Sequence, residues 1–375
     1  MTSRERMKAA MDLRIPDRVP VMCQLSIGHM LLQLGVSPVE FWHDGAIFTD
    51  GLIRLRELYD FDGILVSLHG HDPDWRRGIQ SIEQSAEGEI VTRSDGQRWM
   101  YPLNDLPRPE VFTPFHVSLA SLKEGDLPIE LGYIPVSQGL HFRINANTRF
   151  DIFRRIRRKV GMEYSLHGEV TSPFDYFLDF LGHEQGLICL VENPDKAKWI
   201  LSQFALLVSR LADDMCDTGV DAIKISSPFA GSAFISPDMY KAFVLPHEAK
   251  IAERVRAKSV HVYLHTCGSI GDRLELMFES GVSGIECLDP PPLGDVDLEE
   301  AKRRLRGKGF IKGNIDSVNT LLVGKSNDVL ADARRRLEIG KLGGGFILST
   351  ACSVAPAVDR NALHLLAEAA HLWGQ

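Results

Sequence analysis

The stretch DAIKISS (221–227), PDMYKAFVLPHEAKIAERVRA (237–257) and SVHVYLH (259–265) decides the fold. Its first and last pieces are short, apolar and rich in β-branched residues, while the middle piece is long with apolar residues at helical spacing. Strand, helix and strand in that order make a βαβ unit, whose two strands run parallel. The same alternation extends on both sides. Upstream, EYSLHGEV (163–170) reads as a strand, and residues 194–217 read as a long helix closing at Gly219. Downstream come strand SGIECLD (283–289), helix DLEEAKRRLRG (297–307), strand GFIKGNID (309–316), a helix near 327–339, strand GFILST (345–350) and helix RNALHLLAEAAHLW (360–373).

The N-terminal half adds RVPVMCQ (18–24) and FDGILVSLH (61–69), which brings the strands to eight. Eight parallel strands with intervening helices predict an α/β fold, a single (β/α)8 TIM barrel over residues 1–375. Between about 80 and 160 the alternation breaks. EGEIVTRSDGQRWMYP (87–102) predicts a β-hairpin turning at Asp95-Gly96, so this region is expected as an insertion on the barrel.

With 375 residues, 44% of them hydrophobic and 25% charged, the chain can bury a large core. A net charge of -8 speaks against nucleic acid or a membrane surface as partner. The basic runs RRIRRK (154–159) and KRRLRGK (302–308) fall in helical contexts and read as solvated faces. No apolar run reaches the ~18 residues of a membrane span. The N-terminus has no apolar signal core, and six scattered cysteines suit a reducing compartment, so the expected location is the cytoplasm. LLVGKS (321–326) ends like a phosphate loop but has Asn319 where the first glycine belongs, and no G-x-G-x-x-G follows a strand.

In a parallel barrel the chemistry sits where strands end. Those ends carry Gln24, His69, His167 with Glu169, Ser226 with Ser227, His265 with Cys267, Asp289, Asn314 with Asp316, and Cys352. Residues two apart on a strand project to one side, so His265 and Cys267 can share an ion, and Cys352 ends the last strand on the same rim. One imidazole and two thiolates suit Zn²⁺ and leave a fourth position open. A packed histidine beside buried thiols is the competing reading, and the residues alone leave both open. Cys23, Cys189, Cys216 and Cys287 are expected outside the metal set. His167 and Glu169, by the same spacing, form either a proton-donating pair near the mouth or a supporting hydrogen-bonded layer.

LHTCGSI (264–270), GIECLD (284–289), IKGNID (311–316) and ACSVAP (351–356) together resemble the C-terminal half of the uroporphyrinogen decarboxylase superfamily. PDRVPV (16–21), GEVTSPFDYFLDFLG (168–182) and SPDMYKAFVLPHEAKI (236–251) extend the likeness, which is weakest between about 70 and 160. The resemblance implies a (β/α)8 barrel. The superfamily's decarboxylases carry an arginine-bearing first-strand motif for tetrapyrrole carboxylates, yet VPVMCQLSIGHM (19–30) has no arginine. Its corrinoid-linked methyltransferases carry His-x-Cys after one strand and Cys after the last, holding zinc, as His265, Cys267 and Cys352 stand here.

The resemblance therefore implies a zinc-dependent methyltransferase exchanging methyl between a small methylated donor, such as a methoxy compound, and a corrinoid cobalt. The chain lacks Asp-x-His-x-x-Gly, so the corrinoid is expected on a separate protein. Glu169, Asp289 or water could fill the fourth zinc position. Asn314 and Asp316 match a stretch common to both branches and are expected to support or orient substrate. The pair His167 and Glu169, as a proton source, tips the expectation towards demethylation of the donor. Methyl transfer from methylcobamide to a thiol, a decarboxylase and a non-catalytic barrel remain the alternatives.

Overall fold

The computed structural model describes residues 1–111, 117, 119 and 121–375. Seven parallel strands form the central sheet: β1 (Gly63–Val66), then β8 (Ser165–Thr171), β9 (Ala222–Ser226), β10 (His261–Thr266), β11 (Gly284–Cys287), β12 (Phe310–Ile315) and β13 (Phe346–Thr350). Their numbers skip because six antiparallel strands intervene in the chain: β2 (Ile79–Gln84), β3 (Gly88–Arg93), β4 (Arg98–Pro102), β5 (Arg108–Pro109), β6 (Tyr133–Ser137) and β7 (Leu140–Arg143). In the sheet the parallel strands lie side by side in chain order, each pairing with the next.

The expected first strand, 18–24, is not a regular strand. It touches β13 through a single parallel bridge, Val21 to Leu348, with a second bridge from Leu25 to Val354. Pro20 has no N–H to give a ladder, and the Val21 N–H bonds the Asp62 carboxylate at 2.8 Å instead of a strand carbonyl. Asp62 in turn anchors Arg6 at 2.6 Å and Arg18 at 2.8 Å, all three buried. The segment still links the two sheet edges: Leu348 N–H donates to the Pro20 carbonyl, and Asp62 N–H to the Val21 carbonyl.

The helix Ser3–Met11 begins with a Thr2–Glu5 capping box, which satisfies its first amides. Its Met7 and Met11 pack with Met22, Ala222, Tyr263, Phe310 and Ile347. Those residues lie towards the strand starts, so this helix seals that end, each buried side chain contributing ~1.5–3 kcal/mol. Helices flank the sheet elsewhere, and Pro194–Cys216 matches the long helix expected at 194–217. Ser172 and Ser236 cap helices opening with Pro173 and Pro237, the arrangement that best pre-sets a first turn.

The expected hairpin is present as β3 and β4, with Gly96 at φ +84° in the turn where only glycine sits without strain. It belongs to a four-stranded antiparallel sheet, and β6 and β7 form a separate hairpin. This antiparallel part spans 79–143. The helix Asp151–Val160, which falls within the 80–160 stretch, packs against the helix Gly45–Tyr59 in the layer flanking β1. Among the described residues no helix is long and apolar enough to cross a membrane.

Candidate metal centre at the strand ends

β10 delivers His265 as its fifth residue and ends at Thr266, so Cys267 follows at the turn, while Cys352 lies two residues past β13. Nitrogen and sulfur ligand atoms of His265, Cys267 and Cys352 all fall within 4.8 Å of one another. The Cys267 sulfur is 3.3 Å from His265 Nε2 and 3.6 Å from the Cys352 sulfur. Ligands at Zn–S ~2.3 Å and Zn–N ~2.0–2.1 Å in a tetrahedron stand about 3.5–3.8 Å apart. The donor set therefore fits zinc in both chemistry and spacing.

Electrostatics favour an anion at the same place. Hydrogen bonds from the Cys267 and Cys287 thiols hold Cys352 far below the usual thiol range, against the opposing effect of burial. Burial and Lys224 press His265 towards its neutral form, but the adjoining sulfurs outweigh both and raise it well above the ordinary imidazole range. A cation at this point would displace the Nε2 proton, which makes metal uptake fall with acid.

His265 is aimed by its second ring nitrogen. Nδ1 lies 2.9 Å from Glu286 Oε2, across the register pair that joins β10 to β11. Glu286 is fully buried and is held by Lys312 through its other oxygen, with Lys224 3.3 Å away. Burial alone would raise Glu286; the two ammonium groups overcome it and keep the carboxylate well below its ordinary range. Lys224 also pairs with Glu169 at 3.3 Å and donates to Gln24. This ionic layer was not anticipated. Its signal lay in the strands themselves: a single charge amid apolar neighbours in AIKIS, GIEC and FIKGNI, where a buried charge needs a partner.

The remaining expected site residues divide. Asp289 is beside the cluster, accepting from Gly268 N–H at 2.7 Å and from the Cys287 thiol at 3.1 Å. Cys287 and Leu288 hold φ of +87° and +57°, two consecutive strained non-glycine residues, a feature that concentrates at functional sites. Cys287 therefore adjoins the cluster, although its sulfur is outside the group of three. Glu169 is partly exposed, and its salt bridge turns it towards Lys224.

His167 does not reach the strand ends, which corrects the expectation of a pair near the mouth. It is the third residue of β8, fully buried, 3.0 Å from the Ser165 hydroxyl and 3.0 Å from the Tyr263 hydroxyl. Burial, aided by Lys312, pushes it down to about 3, so it is neutral and poorly suited to donate a proton. Asn314 donates to the Leu288 carbonyl at 2.8 Å and accepts from Arg336 at 2.6 Å, tying β12 to the strained turn. Asp316 caps its own loop through the Val318 and Asn319 amides. Gln24 belongs to the ionic layer, and His69 packs against the rings of Phe150 and Phe153.

Comparison with known proteins gives the same frame. The chain is 27% identical over 201 residues to a methylcobamide:CoM methyltransferase, MtaA, of Methanosarcina barkeri, covering 54% of this chain and 56% of that one. It is also 27% identical over 198 residues to a uroporphyrinogen decarboxylase of Mycobacterium sp. (strain KMS), covering 50% and 53%. The matched part thus spans about half the length of these curated relatives. A solved methyltransferase from Methanosarcina mazei superposes with a TM-score of 0.75 at 20% identity, covering 99% of both chains, so the two share a fold. Residues 139–373, which include every metal-ligand candidate, match the family described as Uroporphyrinogen decarboxylase (URO-D), and the chain belongs to that family.

Proposed function

We propose that this protein is a zinc-dependent methyltransferase working between a small-molecule substrate and the cobalt of a corrinoid carried by a separate protein. The observation that carries the reading is the cluster of His265, Cys267 and Cys352, whose donor atoms have the spacing of a tetrahedral ion's ligands. Bound there, zinc would supply a Lewis-acidic open position that lowers the pKa of a thiol or polarises a leaving heteroatom. The chain's own part is to orient the three donors and to hold Glu286 against Nδ1. Asp289, fixed by the Gly268 amide, is the candidate for the fourth position, because Glu169 is drawn off by Lys224.

Direction is the finer question. Demethylation of a donor rested on His167 and Glu169 as a proton source. His167 is neutral and locked between Ser165 and Tyr263, so that support is gone. A thiol acceptor needs no protonated leaving group, only a metal position that stabilises its thiolate. Methyl transfer from a methylated corrinoid to a small thiol is accordingly the favoured direction, and the name of the Methanosarcina barkeri relative supports it. A decarboxylase is disfavoured by the arginine-free stretch 19–30.

The test is direct. Purified protein should carry about one zinc per chain and move methyl from free methylcobalamin to a panel of small thiols. Chelation should abolish transfer while circular dichroism and cooperative melting persist, because a chain this size buries enough core to stand without a metal. Wild-type protein that takes up no zinc, or turns over uroporphyrinogen after chelation, would overturn the reading.

A further inference from the structure

We infer that Glu286, clamped by the buried lysines Lys312 and Lys224, is the positioning residue of the metal centre and sets which nitrogen His265 presents. This inference rests on the zinc reading above. Three observations carry it. Glu286 Oε2 is 2.9 Å from His265 Nδ1, so Nδ1 keeps its hydrogen and Nε2 is the nitrogen that faces the Cys267 sulfur at 3.3 Å. A histidine whose Nδ1–H is engaged by a carboxylate is fixed in ring orientation and is a more basic ligand.

Second, the carboxylate is built into the sheet. Glu286 pairs in register with His265 on one side and Lys312 on the other, so the three side chains occupy neighbouring positions on adjacent strands. Third, the charges close on themselves. Lys312 and Lys224 are both fully buried; Lys312 binds Glu286, and Lys224 lies 3.3 Å from both Glu286 and Glu169. Two buried cations and two carboxylates offset one another within the layer, so the Glu286 side chain is held from both sides by paired groups. A structural salt bridge needs no histidine at its edge. Here the acceptor oxygen not taken by Lys312 is shared between the ligand ring at 2.9 Å and Lys224 at 3.3 Å. Lys224 also joins this layer to Glu169, linking the support of the metal to a side chain that retains partial exposure.

The experiment compares four full-length proteins: wild type, Glu286→Gln, Lys312→Met and the double variant Glu286→Gln/Lys312→Met. Zinc affinity is read by competition with a chelator of known affinity, and ligand geometry by the visible bands of the cobalt(II)-substituted protein. Loss of such a carboxylate partner typically weakens metal binding about 10–100-fold. Glu286→Gln should show that loss together with shifted cobalt bands, while Lys312→Met, which keeps the acceptor on Nδ1, should lose stability but stay within a few-fold of wild-type affinity. Should Glu286→Gln fail to fold with Lys312 unpaired, the double variant removes both charges together and is compared with Lys312→Met alone. Wild-type affinity and unshifted cobalt bands in Glu286→Gln, or equal affinity in the double and Lys312→Met, would overturn the assignment. Absence of zinc binding in the wild type would instead overturn the metal reading itself.

Discussion

His265 and His167 make a natural pair. Both sit on strands of one parallel sheet, two strands apart, and both are sealed from solvent. Their surroundings send them in opposite directions. His167 is held between two hydroxyls beneath the ionic layer, and burial keeps it neutral. His265, one step before the strand end, faces a carboxylate on one nitrogen and sulfur on the other. The difference teaches that burial and strand placement do not make a histidine a ligand. What decides is which partners the neighbouring strands bring to its two nitrogens.

The largest effect expected from this contrast is on metal content. On the proposed zinc reading, replacing His265, Cys267 or Cys352 by Ala should remove most of the zinc, since each would supply one donor of the His/Cys/Cys cluster. Replacing His167 by Gln should leave zinc stoichiometry unchanged. Metal analysis of purified variants reads both at once. Full zinc in any of the three ligand variants, or depleted zinc in His167→Gln, would break the contrast.

Sequence reading named the three residues that the fold brings together and missed the ionic layer beside them for a physical reason. His-x-Cys on one strand is a local pattern, and period-two alternation guarantees that the two side chains share a face. The third member of the cluster, Cys352, needed only the knowledge that parallel strands end on one rim. Glu286, Lys224 and Lys312 are related by register across separate strands, and register is a property of the assembled sheet. His167 was misplaced along the strand for a related reason. Its spacing to Glu169 was right and the strand end, expected at 170, falls at Thr171; what the spacing leaves open is depth, and His167, third of the seven residues of β8, lies well short of that end. The 18–24 segment reads as a strand from its apolar run, whereas Pro20 and the Asp62 carboxylate divert its hydrogen bonds. Only that diversion, invisible in a pattern of apolar residues, separates it from β1.

A second effect, smaller than metal loss, should appear in stability. Lys312→Ala strands Glu286 beside Lys224 with half its compensation gone. Removing one partner of a fully buried ion pair typically costs about 3–5 kcal/mol. Urea unfolding of metal-free protein should register a loss of that order at pH 7. A loss below ~1 kcal/mol, the range of an exposed pair, would mean that water reaches this layer. In that case the sealed interior on which the contrast depends would need to be redrawn.

The smallest effect belongs to His167 itself. Its two hydrogen bonds join Ser165 and Tyr263, and their loss in His167→Gln should cost about 1–2 kcal/mol near neutral pH. The pH dependence carries the sharper signature. The folded-state value is depressed to about 3, below the ordinary imidazole value of 6.5 that the unfolded chain should show. Between those two values the unfolded state binds the extra proton, so stability rises with pH there and is lost as pH falls from about 6.5 towards 3. His167→Gln removes this group from the balance, so the acid limb of a stability–pH curve should become shallower while the neutral plateau drops slightly. Measured on metal-free protein, the curve is free of the zinc linkage at His265. An acid limb identical in wild type and variant would mean that His167 titrates alike in the folded and unfolded states and takes up a proton below about 6.5. It would then regain the proton-donating role that its buried, hydroxyl-bound setting now argues against.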